Sequence, residues 1–319
     1  MAKSLEAQYD SAVGALVGAA VGDALGAPLE FLPPRERDNF TTDMTGGGML
    51  KWEPGSITDD TIMSMSICGM YLECGGYDQK NLVEKWLNWK KTGPKDIGNW
   101  TNRALGKWAQ IFDTLESGVG LRGQDHPVIQ LWNNMGQDDA GNGGVMRCMP
   151  SAVANINYSQ MAKDTINICQ DTHPDPRCVE SCLAINSAIF YLIENKLSKS
   201  KLMEVIPKGK GELADALKES PGLPWEEWTN DGFTVDTVRC AFACFLQAND
   251  FEKALIEVVN RGNDADTVGA VAGSLLGAYY GYKAIPQRWI MKLQQKNAIQ
   301  EVAKGMFLYR INQKNTNDD

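Results

Sequence analysis

Gly14-Ala15-Leu16-Val17-Gly18-Ala19-Ala20-Val21-Gly22-Asp23-Ala24-Leu25-Gly26 places a glycine at every fourth position of an apolar run. At 3.6 residues per turn these glycines share one face of a helix and leave a bare ridge along it. Each interior glycine costs a helix about 1 kcal/mol relative to alanine, so four together need compensation. Close approach of a second backbone supplies it. The same spacing returns at Gly269, Gly273, Gly277 and Gly281. The two stripes are predicted to pack on each other, with the crossing of about −50° that i±4 ridges favour. Separate packing of each stripe against other helices is the alternative that spacing alone leaves open.

The rest of the chain also reads as helical. Trp100, Ala104, Leu105, Trp108, Ile111 and Phe112 fall on one helical face, and Phe251, Ala254, Leu255, Val258 and Val259 on another. Val268, Val271, Ala272, Leu275, Leu276 and Tyr279 repeat the pattern within the second glycine stretch. No stretch alternates convincingly as a strand, so the fold class is all-α. Breakers at Pro33-Pro34, Gly46-Gly47-Gly48, Gly141-Asn142-Gly143-Gly144 and Pro221-Gly222 separate the helices. Residues 196–230 read as an irregular surface excursion. Residues 1–311 form one domain, and 312–319 a frayed polar tail.

Composition narrows the function. The 319 residues are 43% hydrophobic and 22% charged, enough for one large core. A net charge of −9 argues against a nucleic-acid surface, which needs a basic field. With two histidines a histidine-rich zinc site is excluded. The eight cysteines lack a Cys-x-x-Cys and read as reduced core residues. The start lacks a signal-peptide pattern, and the apolar stretch from Val13 to Val21 is too short to span a bilayer before Asp23. The expectation is a cytoplasmic protein without a membrane partner, monomeric by default.

Two Asp/Thr clusters carry the chemistry. Thr58-Asp59-Asp60-Thr61 offers four hard oxygen donors ahead of an apolar run, a set suited to Mg²⁺, Mn²⁺ or Ca²⁺. Thr and Asp also suit a helix start, so capping is the competing reading. Asp264-Ala265-Asp266-Thr267 opens the second glycine stretch, and Asp23 and Glu30 close the first. If the glycine helices meet, so do the three acidic clusters, and carboxylates gathered in this way need cations. The loop Gly141-Asn142-Gly143-Gly144 opens an apolar helical run from Val145 to Ala154, whose amides and helix N-terminus could cradle a diphosphate. A plain tight turn with Arg147 on the surface is the alternative. His126 reads as a surface residue. On sequence alone Asp96 reads as a cap for the helix carrying Trp100, and Phe233 suits the core as well as a ligand.

These blocks, in order from about residue 11 to 282, resemble the ADP-ribosylglycohydrolase family. They are Gly22-Asp23-Ala24-Leu25-Gly26 with Glu30, Thr58-Asp59-Asp60-Thr61, Asp96-Ile97-Gly98-Asn99, Gly141 to Arg147, Thr172-His173-Pro174, Asp231 to Thr237 and Gly262 to Thr267. The likeness is greatest to the arginine-directed, dinitrogenase reductase-activating type. It implies a single compact multi-helix domain around a central binuclear site. Two Mg²⁺ or Mn²⁺ ions would be bound by residues matching Glu30, Thr58, Asp59, Asp60, Asp264, Asp266 and Thr267. Asp96 would be the acid/base, with Asp60 the second catalytic carboxylate. Asn99, Asn142, Gly143, Gly144, Val145, Met146, His173 and Phe233 would contact the ligand; phenylalanine at 233 can stack but offers no hydroxyl. The implied activity is metal-dependent hydrolysis of the N-glycosidic bond between ADP-ribose and a protein side chain, most simply arginine. The ADP-ribosylated protein is then the substrate and ADP-ribose the product. The alternative is a non-catalytic ADP-ribose- or partner-binding regulator or immunity protein that keeps the metal site.

Overall fold

The computed structural model describes residues 2–317 and contains fifteen α-helices joined by 3₁₀ turns and loops; among the described residues there are isolated β-bridges but no strand. The predicted helices are present at Leu5–Gly26, Asn99–Ile111, Phe251–Val259 and Ala265–Tyr280. Leu5–Gly26 and Ala265–Tyr280 form the most extensive helix pair of the fold. Both are buried along nearly their whole length.

The stripes meet rung by rung. A methyl built on Gly269 would lie 2.9 Å from the carbonyl carbon of Gly22, one on Gly273 2.9 Å from that of Gly18, and one on Gly26 2.6 Å from the Cα of Asp266. The pairing is antiparallel and runs from Gly14 opposite Gly277 to Gly26 opposite Ala265. This corrects the crossing angle. Helices inclined at about 50° diverge within two turns of their crossing point, whereas four successive rungs of backbone contact require them to run nearly side by side. The first helix is long and apolar enough to cross a membrane by length and composition, but its apolar window lies wholly inside the protein. A helix apolar on all sides is what a central core position requires.

Four other expectations change. Residues 196–230 contain the helices Lys199–Val205 and Glu212–Glu219 and bury Leu213, Trp228 and Asn230. The last helix, Lys296–Asn317, extends through most of the expected tail. Gln313 donates to the Ala154 carbonyl at 3.0 Å and Lys314 lies 3.5 Å from Glu194, which holds this end against the core; residues 318–319 lie outside the described residues. His126 is buried, its ring packed edge-on against Trp108 and its Nε2 facing Asp171 at 3.5 Å. All eight cysteines are free and seven are buried, but Cys74 is exposed.

Candidate active site

The N-terminal turn of the helix Asp59–Cys74 is built against the end of the first glycine helix. Asp23, fully buried there, accepts hydrogen bonds from the Thr58 and Thr61 amides at 3.1 and 3.2 Å and from the Thr61 hydroxyl. A carboxylate on exposed helix amides is favoured by both hydrogen bonding and the helix dipole. Asp23 is thus engaged in fixing the turn. Thr58 caps the helix as well, and its hydroxyl donates to Asp60 at 2.9 Å. The capping reading is therefore correct for Thr58; Asp59 is left free to project, while Asp60 is held by the Thr58 hydroxyl.

The second cluster is held differently. No side chain caps Ala265–Tyr280. Instead Asn230 donates to the carbonyls of Gly262 and Asp264 at 3.1 and 2.6 Å, while its own carbonyl accepts from the Asp264 amide at 2.8 Å. Asn142 donates to the Asp264 carboxylate at 2.6 Å. Because the glycine stripes bring the two helices into contact, Thr267 reaches across and donates to Asp60 at 3.2 Å. That bond joins the two Asp/Thr clusters.

The clusters floor a cavity of about 750 Å³. Glu30, Asp59, Asp96, Asp264, Asp266 and Thr267 line it, together with Asn99, Asn142, Gly143, Met146 and His173. Oxygen atoms of Glu30, Asp96 and Asp266 all lie within 4.8 Å of one another, as do those of Asp23, Asp60 and Asp266. Thr58 and Asp60 stand behind the lining. Gly144, Val145 and Phe233 are also outside it; Phe233 sits beneath the Arg177 guanidinium, 5.6 Å from its ring centre.

Such a floor is costly without a cation. Burial, and then the facing Asp96, Asp264 and Asp59 carboxylates, push Glu30 up to about 9. Burial followed by carboxylate neighbours also holds Asp59, Asp60 and Asp266 well above the usual range. Glu30 Oε2 and Asp266 Oδ1 are buried with no hydrogen-bond partner. Buried acceptors are normally satisfied, and two orphaned carboxylate oxygens in an all-oxygen cluster fit a hard divalent cation.

Asp96 does not cap its helix. Gly98 is the N-cap of Asn99–Ile111, and the Asp96 carboxylate turns toward Glu30 and Asp266. Burial and the nearby Asp264 raise its proton affinity, so this carboxyl holds a proton more readily than a free aspartate.

The glycine loop forms another wall, with one correction. The run after Gly144 is a single 3₁₀ turn, Val145–Arg147, followed by the short helix Pro150–Ala154, so the helix dipole expected there is absent. Arg147 is buried rather than superficial. Its guanidinium lies 4.4 Å over the Trp86 ring and donates to the Gly143 carbonyl and the Thr172 hydroxyl. Thr172 Oγ1 in turn lies 2.8 Å from His173 Nδ1. With Arg147 donating into that oxygen, the threonine proton is free to point at Nδ1, which favours an imidazole carrying its proton on Nε2. Burial, then the Arg147 charge, depress His173 well below its ordinary value. A neutral ring thus abuts Gly143, where a methyl would lie 2.7 Å from Cε1; glycine is required by this approach.

Sequence reasoning missed three contributors. Asn230 lies in a segment that carries no local signal. Arg147 was legible as a residue but not as buried. Phe31, directly after Glu30, lines the cavity and is an exposed aromatic, which no periodicity marks.

The ADP-ribosylglycohydrolase family model matches residues 4–317. The ADP-ribosyl-[dinitrogen reductase] glycohydrolase of Rhodospirillum rubrum is 32% identical over 292 residues, covering 90% of this chain and 92% of the relative. The ADP-ribosylarginine hydrolase Tri1 of Serratia proteamaculans is 32% identical over 309 residues, covering 93% and 79%. A solved ADP-ribosylglycohydrolase-related protein complex includes a chain with TM-score 0.76 and 28% identity, covering 95% of this chain and 99% of that one.

Proposed function

The chain belongs to the ADP-ribosylglycohydrolase family, and from that premise we propose that it hydrolyses the N-glycosidic bond between ADP-ribose and an arginine side chain of a modified protein. The observation that carries this reading is the cavity floored by Glu30, Asp96 and Asp266 and walled by the Gly141–Gly143 loop and His173. Relatives named as acting on ADP-ribosylarginine, alignable over most of this chain, support arginine as the linkage.

Two divalent ions, Mg²⁺ or Mn²⁺, would be held by Glu30, Thr58, Asp59, Asp60, Asp264, Asp266 and Thr267. When bound they supply Lewis acidity toward ribose oxygens and water. The remaining work falls to the chain. Asn142, Gly143, Met146 and His173 bind and orient the ADP-ribose moiety, and a neutral His173 with its Nε2 proton can donate to a diphosphate oxygen. Asn99 borders the ribose end. The bond from ribose C1″ to the guanidinium nitrogen breaks, a water oxygen takes its place on carbon, and the water's proton ends on the departing nitrogen. Asp96 carries that proton. Asp60 assists by holding Thr267 and Thr58 in place. Gly144 and Val145 support the loop from behind, and Phe233 borders the rim.

The eight free thiols suit a reducing, cytoplasmic setting, and we retain the monomer as the working state. The test is incubation with an arginine-ADP-ribosylated protein, with Mg²⁺ or Mn²⁺ and with chelator. Free ADP-ribose should appear only with metal. Tight ADP-ribose binding without any release would instead assign the chain as a binding regulator.

A further inference from the structure

Phe31 is not accounted for by packing. It is 59% exposed and stands outside the hydrophobic core to which the next residue, Leu32, contributes. Its φ is +61°, a left-handed backbone that costs a bulky residue roughly 1–3 kcal/mol. The conformation is enforced from the site. The Phe31 amide donates to the Asn263 carbonyl at 2.7 Å, and the Asn263 amide donates back to the Leu32 carbonyl at 2.7 Å. Asn263 is itself left-handed, at φ +52°. Two strained turns, one following Glu30 and one preceding Asp264, are thus locked together. The result is an aromatic ring kept in the cavity lining and open to solvent, next in the chain to a buried carboxylate.

An exposed π face in an acidic cavity fits one ligand chemistry well: a flat, delocalised, weakly hydrated cation. We propose that Phe31 is the platform on which the guanidinium of the modified arginine stacks, and so a specificity-determining residue for the arginine linkage. This rests on the reading of the cavity as an ADP-ribosylarginine site. The ring supports the leaving side chain, while the wall of Gly141 to Gly143 and His173 serves the ADP-ribose. Neutral acceptors such as serine hydroxyls gain little from the same surface, because the attraction needs positive charge.

The test is steady-state hydrolysis of an ADP-ribosylarginine peptide by the wild type, Phe31→Leu and Phe31→Tyr, with inhibition by free ADP-ribose measured on each. Leucine keeps the apolar bulk and removes the π face; tyrosine keeps the face. Phe31→Leu should raise KM about 3- to 30-fold, with kcat and the ADP-ribose inhibition constant unchanged, and Phe31→Tyr should behave as wild type. An unchanged KM in Phe31→Leu overturns the platform. So does a parallel rise in the ADP-ribose inhibition constant, which would make Phe31 a contact to ADP-ribose. A wild type that releases no ADP-ribose from this peptide overturns the linkage reading and the platform together, and is seen before any variant is compared.

Discussion

Adding one methyl group at Gly18 should weaken both the fold and the site, although Gly18 touches no ligand. The change to alanine would ordinarily stabilise a helix by about 1 kcal/mol. Here the new Cβ would stand 3.1 Å from the Gly273 carbonyl carbon and 3.4 Å from the Gly277 Cα, with the Gly273 oxygen closer still. All three are backbone atoms of a buried helix, so none can rotate away. Restoring ordinary contact at about 3.5–4.0 Å requires the helices to part by several tenths of an ångström or more. Overpacking of this kind costs about 1–3 kcal/mol and can exceed that against rigid backbone, so the net effect is destabilising. For a domain of this size each kcal/mol lowers Tm by roughly 1.5 °C; a cost at the upper end of that range, less the helix gain of about 1 kcal/mol, gives an expected loss of about 3 °C. Parting the helices also stretches the 3.2 Å bond from Thr267 to Asp60, so Mn²⁺ affinity measured by calorimetry should fall. Gly106→Ala is the control. Gly106 is also inside a helix, but its methyl would meet nothing nearer than the Lys90 Nζ at 3.9 Å, and that variant should be more stable than wild type. If Gly18→Ala raises Tm as Gly106→Ala does, with metal affinity intact, the close-packing account is wrong.

The other predictions concern the carboxylates and their supports. Glu30, at about 9 in the folded protein, lies far above its unfolded value; its protonation stabilises the metal-free fold fully below about pH 4.3, and this is lost as pH rises through 9. The gain in Tm on adding Mg²⁺ to chelated protein should therefore grow from pH 6 to 9, and a shrinking gain would refute the assignment. His173 has the opposite sense: its depressed value means acid costs stability once pH falls below its unfolded value of about 6.5. His173→Gln should flatten that acid limb in thermal unfolding scans. Asp96→Asn should retain metal while turnover drops at least about 100-fold; unchanged turnover would remove Asp96 from the chemistry. Asn230→Ala strips two donors from the Gly262–Asp264 turn and leaves its carbonyls unsatisfied, a loss of about 1–3 kcal/mol that calorimetric metal titration should register as weaker binding.

Much of this arrangement was legible because it rests on local chemistry. Glycines at a spacing of four point to close approach of another backbone, so the central pair was suggested by Gly14 to Gly26 and Gly269 to Gly277; Gly281 instead caps the end of its helix beside Asp10, and Ala265 supplies the fourth rung, opposite Gly26. The same reading brought Asp59 and Asp60 to Asp264 and Asp266. Legibility ended where position depends on the whole fold. His126 carries no mark that distinguishes a surface imidazole from one packed between Trp108 and Asp171. Asn230 acts on a turn more than thirty residues away in the chain. The crossing angle failed for a related reason: a ridge rule describes average side chains, and bare glycine backbones can run side by side. The family likeness, not spacing, pointed to Asp96 as more than a cap, and the placement of its carboxylate beside Glu30 and Asp266 agrees with that.

The antiparallel glycine pair also sets an order of events during synthesis. The helix Leu5–Gly26 leaves the ribosome well before Ala265–Tyr280, which makes the groove it fits. At 5–20 residues per second, roughly 10 to 50 s separate the two. Over that interval an apolar helix with four bare glycines has no native neighbour of its own shape, and contacts this distant in sequence form slowly. The nascent chain should therefore depend on chaperones that shield this helix. Cation binding by a set of residues spread from Glu30 to Thr267 would then be a late checkpoint, passed only once the two glycine helices have closed on each other.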